Sequence, residues 1–179
     1  IEELMSTSSG NDQIFDRISA ATRETMERLG VPGVAVGILD RGEERVAGFG
    51  VTSAENPLPV DANTLFQIGS ISKTVTATAI ARLAEAGRLS LDAPIRSYLP
   101  NLRLADESVA ARVTLRHALT HTGGWVGDYF GDTGQGDDAL AKMVDRMIDL
   151  PQLTPLGQIW SYNNAGFYLA GRVVEVVTG

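Results

Sequence analysis

Ser70 and Lys73, in the stretch Ser70-Ile71-Ser72-Lys73, place a hydroxyl and an amine within one helical turn of each other. The i, i+3 spacing sets both side chains on one face of a helix. The first turn of a helix also offers unpaired N–H groups and the positive end of the dipole, which favour a developing alkoxide. No residue from Thr74 to Ala81 is charged, so Lys73 is the sole ionisable group over two turns of what reads as an enclosed helix. An enclosed ammonium without a partner is costly, and desolvation lowers its pKa. That combination suits an activated serine nucleophile. The same letters fit a helix N-cap serine followed by a lysine that snorkels to water. With eleven serines and two lysines in the chain, such a pair also arises readily by chance.

A second constellation is Tyr162-Asn163-Asn164, preceded by the loop Pro155-Leu156-Gly157-Gln158 and followed by an apolar stretch. A tyrosine serves as a general base only where cations favour its phenolate, because its reference pKa is about 10. Lys73 is one candidate cation. Asn164 offers a carbonyl to an ammonium and an amide N–H to a substrate carbonyl. The plainer reading is a buried tyrosine beside a turn asparagine.

These residues need elements to hold them. Asp12 to Leu29 reads as an amphipathic helix with Ile14, Ile18, Ala21, Thr25 and Leu29 in one stripe, widened by Phe15 and Met26 and stopped by Gly30 and Pro32. Val34–Leu39 and Glu44–Phe49 read as strands around the turn Asp40-Arg41-Gly42. Residues 51–64, with Pro57 and Pro59, read as loop. From Ser70 the chain reads as mostly helical, broken at Pro94, Pro100, Gly123-Gly124 and the Gly131–Gly136 loop, with a last helix over Ala165–Val177. The expected organisation is a loose polar segment over residues 1–11, then a helix and two strands over 12–69. The nucleophile helix, a helical region and the Tyr-x-Asn segment fill 70–179.

Phe66-Gln67-Ile68-Gly69-Ser70-Ile71-Ser72-Lys73 resembles the first active-site motif of the serine β-lactamase and penicillin-binding protein superfamily. The likeness is to class C β-lactamases, D-alanyl-D-alanine carboxypeptidases and their esterase relatives. Further segments resemble the same family in the same order. They are Gly87–Pro94 leading to Tyr98-Leu99-Pro100, then Val113–Gly124, then Trp160–Phe167. Four ordered matches are more specific than either short motif.

The resemblance implies an α+β, β-lactamase/transpeptidase-like fold, an antiparallel sheet flanked by helices plus a helical subdomain. It implies a hydrolase that forms an acyl-enzyme on β-lactam, peptide or ester carbonyls without a cofactor, with Ser70, Lys73, Tyr162 and Asn164 as its catalytic residues. Family members also carry a third motif, Lys or His followed by Ser/Thr and Gly, on a strand downstream of the tyrosine. His121-Thr122-Gly123 spells that triplet but precedes Tyr162. It reads instead as the end of a helix from about Leu115, with Gly123 or Gly124 supplying the left-handed cap. By resemblance, three strands and a terminal helix are missing from this chain. The expectation is an enzyme incomplete without a C-terminal segment of the same fold, acting as a partner in trans or lost by cleavage. Alternatives are an esterase or D-amino-acid amidase on the same fold, or a catalytically silent fragment. Many relatives have a small residue where Asn163 stands, which leaves substrate preference open.

A net charge of −7 and the absence of any basic run argue against a nucleic-acid surface. Without cysteine there is neither a disulfide framework nor a thiolate metal site. No segment approaches the roughly 20 apolar residues of a membrane span. Ile1-Glu2-Glu3-Leu4 shows no signal-peptide pattern, and although the family is often periplasmic or secreted, the compartment stays open. His117 and His121, spaced i, i+4, could share a zinc ion, but no HExxH pattern or placed carboxylate accompanies them. Trp125, Tyr129 and Phe130 read as core more than cleft, and Asp132, Asp137 and Asp138 as solvated loop residues.

Overall fold

The computed structural model describes residues 10–179, so the loose segment expected at residues 1–11 falls almost entirely outside the described residues. The chain divides into two compact units, one reaching Gln67 and the other Ile68–Gly179.

The first unit is a helix, α1 (Gly10–Leu29), and an antiparallel hairpin of β1 (Gly33–Asp40) and β2 (Glu43–Gly50). Their register runs from Gly33 opposite Gly50 to Asp40 opposite Glu43, and Arg41 and Gly42 make the turn with φ of 49° and 87°. Positive φ at both turn residues twists the ribbon in the sense that strands prefer. α1 differs from expectation in the face it presents. Ile14, Ile18, Ala21, Thr25 and Leu29 are exposed, while Phe15, Ser19, Thr22 and Met26 are half-buried. A two-stranded ribbon covers only a narrow arc of a helix, and here it covers the edge of the apolar stripe rather than its centre. Arg23 completes that edge, its guanidinium lying 4.7 Å from the Phe49 ring centroid. Residues 51–67 form loop. At Gly48 a Cβ would lie 2.1 Å from the Val60 carbonyl oxygen, so only glycine lets the loop cross β2 there.

The second unit contains α2 (Ser72–Glu85), α3 (Glu107–Ala110), α4 (Leu115–Leu119), α5 (Ala139–Asp145) and α6 (Asn164–Thr178). α6 runs through its core, with Ala165, Leu169, Ala170 and Val173 fully buried at i, i+4, i+5 and i+8 against Ile80 of α2, Leu115 of α4 and Val144 of α5. The expectation of mostly helix fails over residues 86–163, where short helices and 3₁₀ turns are joined by irregular chain. Those irregular stretches still fill the core through Leu89, Ile95, Leu102, Leu104 and Trp125. Polar anchors take the place of helical hydrogen bonds. The Arg96 guanidinium, for example, reaches both the Leu102 carbonyl (2.8 Å) and the Glu107 carboxylate (2.5 Å).

The chain is thus α+β, an antiparallel hairpin with helices. Among the described residues no helix is long and apolar enough to cross a membrane.

Candidate active site

Ser70 does not stand in the first turn of an enclosed α-helix. It lies in a 3₁₀ turn, Gly69–Ile71, that leads into α2, and Gly69 enters that turn with φ of 53°. α2 is itself half-open, with Ile80 buried but Val75 about two-thirds exposed. The i, i+3 relation nevertheless holds through the change of helix type, and Lys73 Nζ lies 3.1 Å from Ser70 Oγ. Lys73 is also not unpartnered, because it donates to Asn164 Oδ1 at 2.7 Å. Tyr162 Oη donates to Ser70 Oγ at 2.6 Å. Two hydrogen bonds thus join residues 91 and 92 positions apart, and the four candidate side chains form one connected web.

The entry to α6 positions the tyrosine side of this web. Asn163 is the N-cap and is 2% exposed. Its Oδ1 accepts from the Gly166 N–H (2.8 Å) and the Trp125 indole N–H (3.0 Å), and its Nδ2 donates to the Trp125 carbonyl (2.9 Å). Both acceptor sites of its Oδ1 and one of its amide N–H groups are engaged, which fixes where the helix begins. Asn164 opens α6, donating its backbone N–H to Gly127 O (3.0 Å) and its Nδ2 to Asp128 Oδ1 (3.3 Å). A Cβ on Gly127 would fall 2.4 Å from the Tyr162 carbonyl oxygen, so glycine is required for this approach.

His121 corrects the reading of its segment. α4 ends at Leu119 with Thr120 as C-cap, and His121 itself, not Gly123, takes the left-handed conformation at φ 59°. Gly124 has a positive φ of its own further on. The His121 ring stacks on Tyr162, centroids 4.6 Å apart at 28°. Asp128 and His121 are site neighbours that the sequence reading passed over. His121 enters that reading as part of an HTG triplet, a helix end and a zinc candidate, not as a neighbour of Tyr162, and Asp128 carries no signal there beyond being an acid near glycines.

The electrostatics follow from these contacts. Hydrogen bonding from Lys73, then from Ser70, holds the Tyr162 phenol below its usual range, the Lys73 charge adding and Asp128 opposing. Lys73 Nζ also lies 4.9 Å from the Tyr162 ring centroid. Burial, then the Lys73 charge, holds His121 below the ordinary imidazole range. A hydroxyl hydrogen-bonded to a phenol whose ionised form a neighbouring ammonium favours has, in that phenolate, a local acceptor for its proton, which is what nucleophilic attack on a carbonyl requires.

Other candidates serve the scaffold. His117 closes a capping box with Thr114 at the start of α4, and no group of three or more His, Cys, Asp or Glu among the described residues could hold a metal ion. Trp125 is buried and Tyr129 is half-buried against the core, but Phe130 is exposed and does not join the core as expected. Asp138 pairs with Lys142 at 2.7 Å and Asp132 accepts from the Gly134 N–H at 2.8 Å.

The family model described as Beta-lactamase matches residues 18–179. Penicillin-binding protein 4 of Amycolatopsis lactamdurans is 40% identical over 83% of this chain and 39% of its own length. Esterase EstB of Burkholderia gladioli is 35% identical over 94% of this chain and 45% of its own length. Among solved structures, a class C beta lactamase from Rhodobacter sphaeroides superposes with a TM-score of 0.72 at 34% identity, covering 90% of this chain and 44% of that one. The chain spans less than half the length of each of these relatives.

Proposed function

From the premise that this chain belongs to the Beta-lactamase family, we propose that it is a serine hydrolase working through an acyl-enzyme on Ser70. The observation that carries this is the web at Ser70 Oγ, with Tyr162 Oη at 2.6 Å and Lys73 Nζ at 3.1 Å. In the resting phenol, Tyr162 donates to Ser70. In the phenolate that Lys73 favours, the bond reverses and Ser70 donates. The Ser70 O–H bond then breaks toward Tyr162 while Oγ bonds to the carbonyl carbon. The proton passes on to the leaving group as its bond to that carbon breaks, and water later takes the acyl group from Ser70. Asn164 holds Lys73 in place through its Oδ1 and keeps an amide N–H near the incoming substrate. The Ser70 backbone N–H serves as an oxyanion donor, a role worth about 2.7–4 kcal/mol of barrier.

Two substrate classes fit this chemistry, β-lactam or D-alanyl peptide carbonyls and carboxylic esters. The first follows the likeness to penicillin-binding and class C proteins, the second the 35% identity to an esterase over 94% of the chain. Intact-mass spectrometry after incubation with benzylpenicillin, and separately with an aryl ester, tests both. A penicilloyl adduct on the Ser70 peptide supports the first class, and an acyl adduct only from the ester supports the second. No adduct from either would mean a catalytically silent chain and overturn the proposal.

A further inference from the structure

We infer that His121 is the positioning residue of Tyr162, gripping it at three points so that its hydroxyl meets Ser70. The His121 carbonyl accepts the Ser161 N–H at 2.9 Å, immediately before the tyrosine. Its ring Nδ1 accepts the Asn163 N–H at 2.9 Å, immediately after it. Its ring lies on the phenol ring itself, 4.6 Å between centroids. One residue thus holds the backbone on either side of Tyr162, at the Trp160–Ser161 and Tyr162–Asn163 peptides, and the plane of its side chain.

The ring has little freedom to leave. Trp160 meets it edge-on at 5.9 Å and Phe167 of α6 lies tilted at 5.4 Å. The left-handed backbone at φ 59° is uncommon for a residue other than glycine, and it turns the carbonyl and the side chain toward the same strip of chain. Because Nδ1 is an acceptor, the neutral ring carries its proton on Nε2. A second proton would have to go on Nδ1, where it would face the Asn163 N–H and break the second grip. The titratable groups facing the ring are Lys73 of α2 and Tyr162, with Asp128 acting on Tyr162 from the loop after Trp125. Trp160 and Phe167 do not titrate. A protonated His121 would therefore sit beside a cation as well. The grip belongs to the neutral ring.

This inference rests on reading Tyr162 as the proton acceptor, yet it has a readout that does not. Lys73 and Ser70 lower the Tyr162 phenol only while the ring is held against them, so releasing it should return the phenol toward its ordinary range. In protein labelled with ring-¹³C tyrosine, the Tyr162 resonance is identified by its absence in Tyr162→Phe and titrated by NMR. In His121→Ala that titration should move up toward about 10, while circular dichroism stays native. His121→Asn tolerates the left-handed backbone and offers an acceptor without a ring, so it should fall between wild type and alanine. If His121→Ala does not fold, His121→Asn decides: an intermediate titration supports the grip, and one identical to wild type overturns it. An unchanged titration in folded His121→Ala overturns it likewise. Acylation of Ser70 in His121→Ala should slow by at least about tenfold, against the about 10²-fold that a 1 Å misplacement can cost. Should wild-type protein never acylate, the catalytic reading falls while the titration still judges the grip.

Discussion

The unit that reaches Gln67 and the unit from Ile68 to Gly179 treat their apolar residues differently. In the first, Phe49 and Val60 are the buried hydrophobics among the described residues, while Leu39 and Leu65 stand 75% and 97% exposed. In the second, Leu115, Leu169 and Val173 are fully buried in one continuous cluster. The reason is geometric. One helix on a two-stranded ribbon has one shared face to close, whereas helices α2, α4 and α5 close around α6 from several sides. All four candidate catalytic side chains belong to the closed unit. Chemistry of this kind requires groups held to within fractions of an ångström, and a packed interior supplies that hold.

The sharpest way to test that division is at the site. Ser70→Ala should abolish every covalent adduct while leaving the thermal midpoint unchanged, since its hydroxyl lies outside the core; residual acylation at another residue would remove Ser70 from its role. Tyr162→Phe should slow acylation by about 10²–10⁴-fold and erase the rise of rate with pH below the ordinary phenol range, as followed by adduct formation from pH 6 to 10. Next in size are paired truncations, one in each unit. Leu169→Ala should cost about 2–5 kcal/mol in urea unfolding, and Leu39→Ala less than about 0.5 kcal/mol. Equal costs would erase the distinction drawn above. Asn163→Ala strands the Trp125 indole N–H and the Gly166 N–H, and should cost roughly 1–3 kcal/mol, with Trp125 fluorescence reporting the change.

The smallest effect is on stability against pH. Burial places His117 and His121 below the ordinary imidazole range in the folded state. The unfolded chain therefore binds more protons between those lowered values and about 6.5. Their contribution is fully present above that window and is lost as pH falls through it, so the urea midpoint should drop from pH 7.5 to pH 5.5. A midpoint that rose on acidification would contradict the burial of both rings.

Ser70–Lys73 and Tyr162–Asn164 could be picked out in the sequence because each pair is local and its side-chain types are themselves reactive. That the two pairs meet was not contained in either spacing, since the bonds joining them span 91 and 92 residues. The need of Tyr162 for a cation made Lys73 a candidate neighbour, and the ordered resemblance along the chain strengthened that pairing. The hairpin was legible from alternation and its Arg-Gly turn. The face of α1 was not, because an amphipathic pattern tells which side is apolar and not how much of it a partner can cover. The tie between His121 and Tyr162 was not legible because it is made through a backbone conformation expected of glycine. The helices of residues 86–163 were overestimated because apolar spacing looks the same when irregular chain fills a core.

The bonds that join the first half of the site to the second carry one more consequence, for the order of folding. Closing a loop of some ninety residues is entropically unfavourable, more so than any local turn, and is offset only once α2 and α6 are packed together. The pairing of Lys73 with Asn164, and of Ser70 with Tyr162, is therefore a late event, absent from any partly collapsed chain. A reagent that labels Ser70 through this web would then count only molecules that have completed folding of this unit, and its labelling rate during refolding would clock that last step.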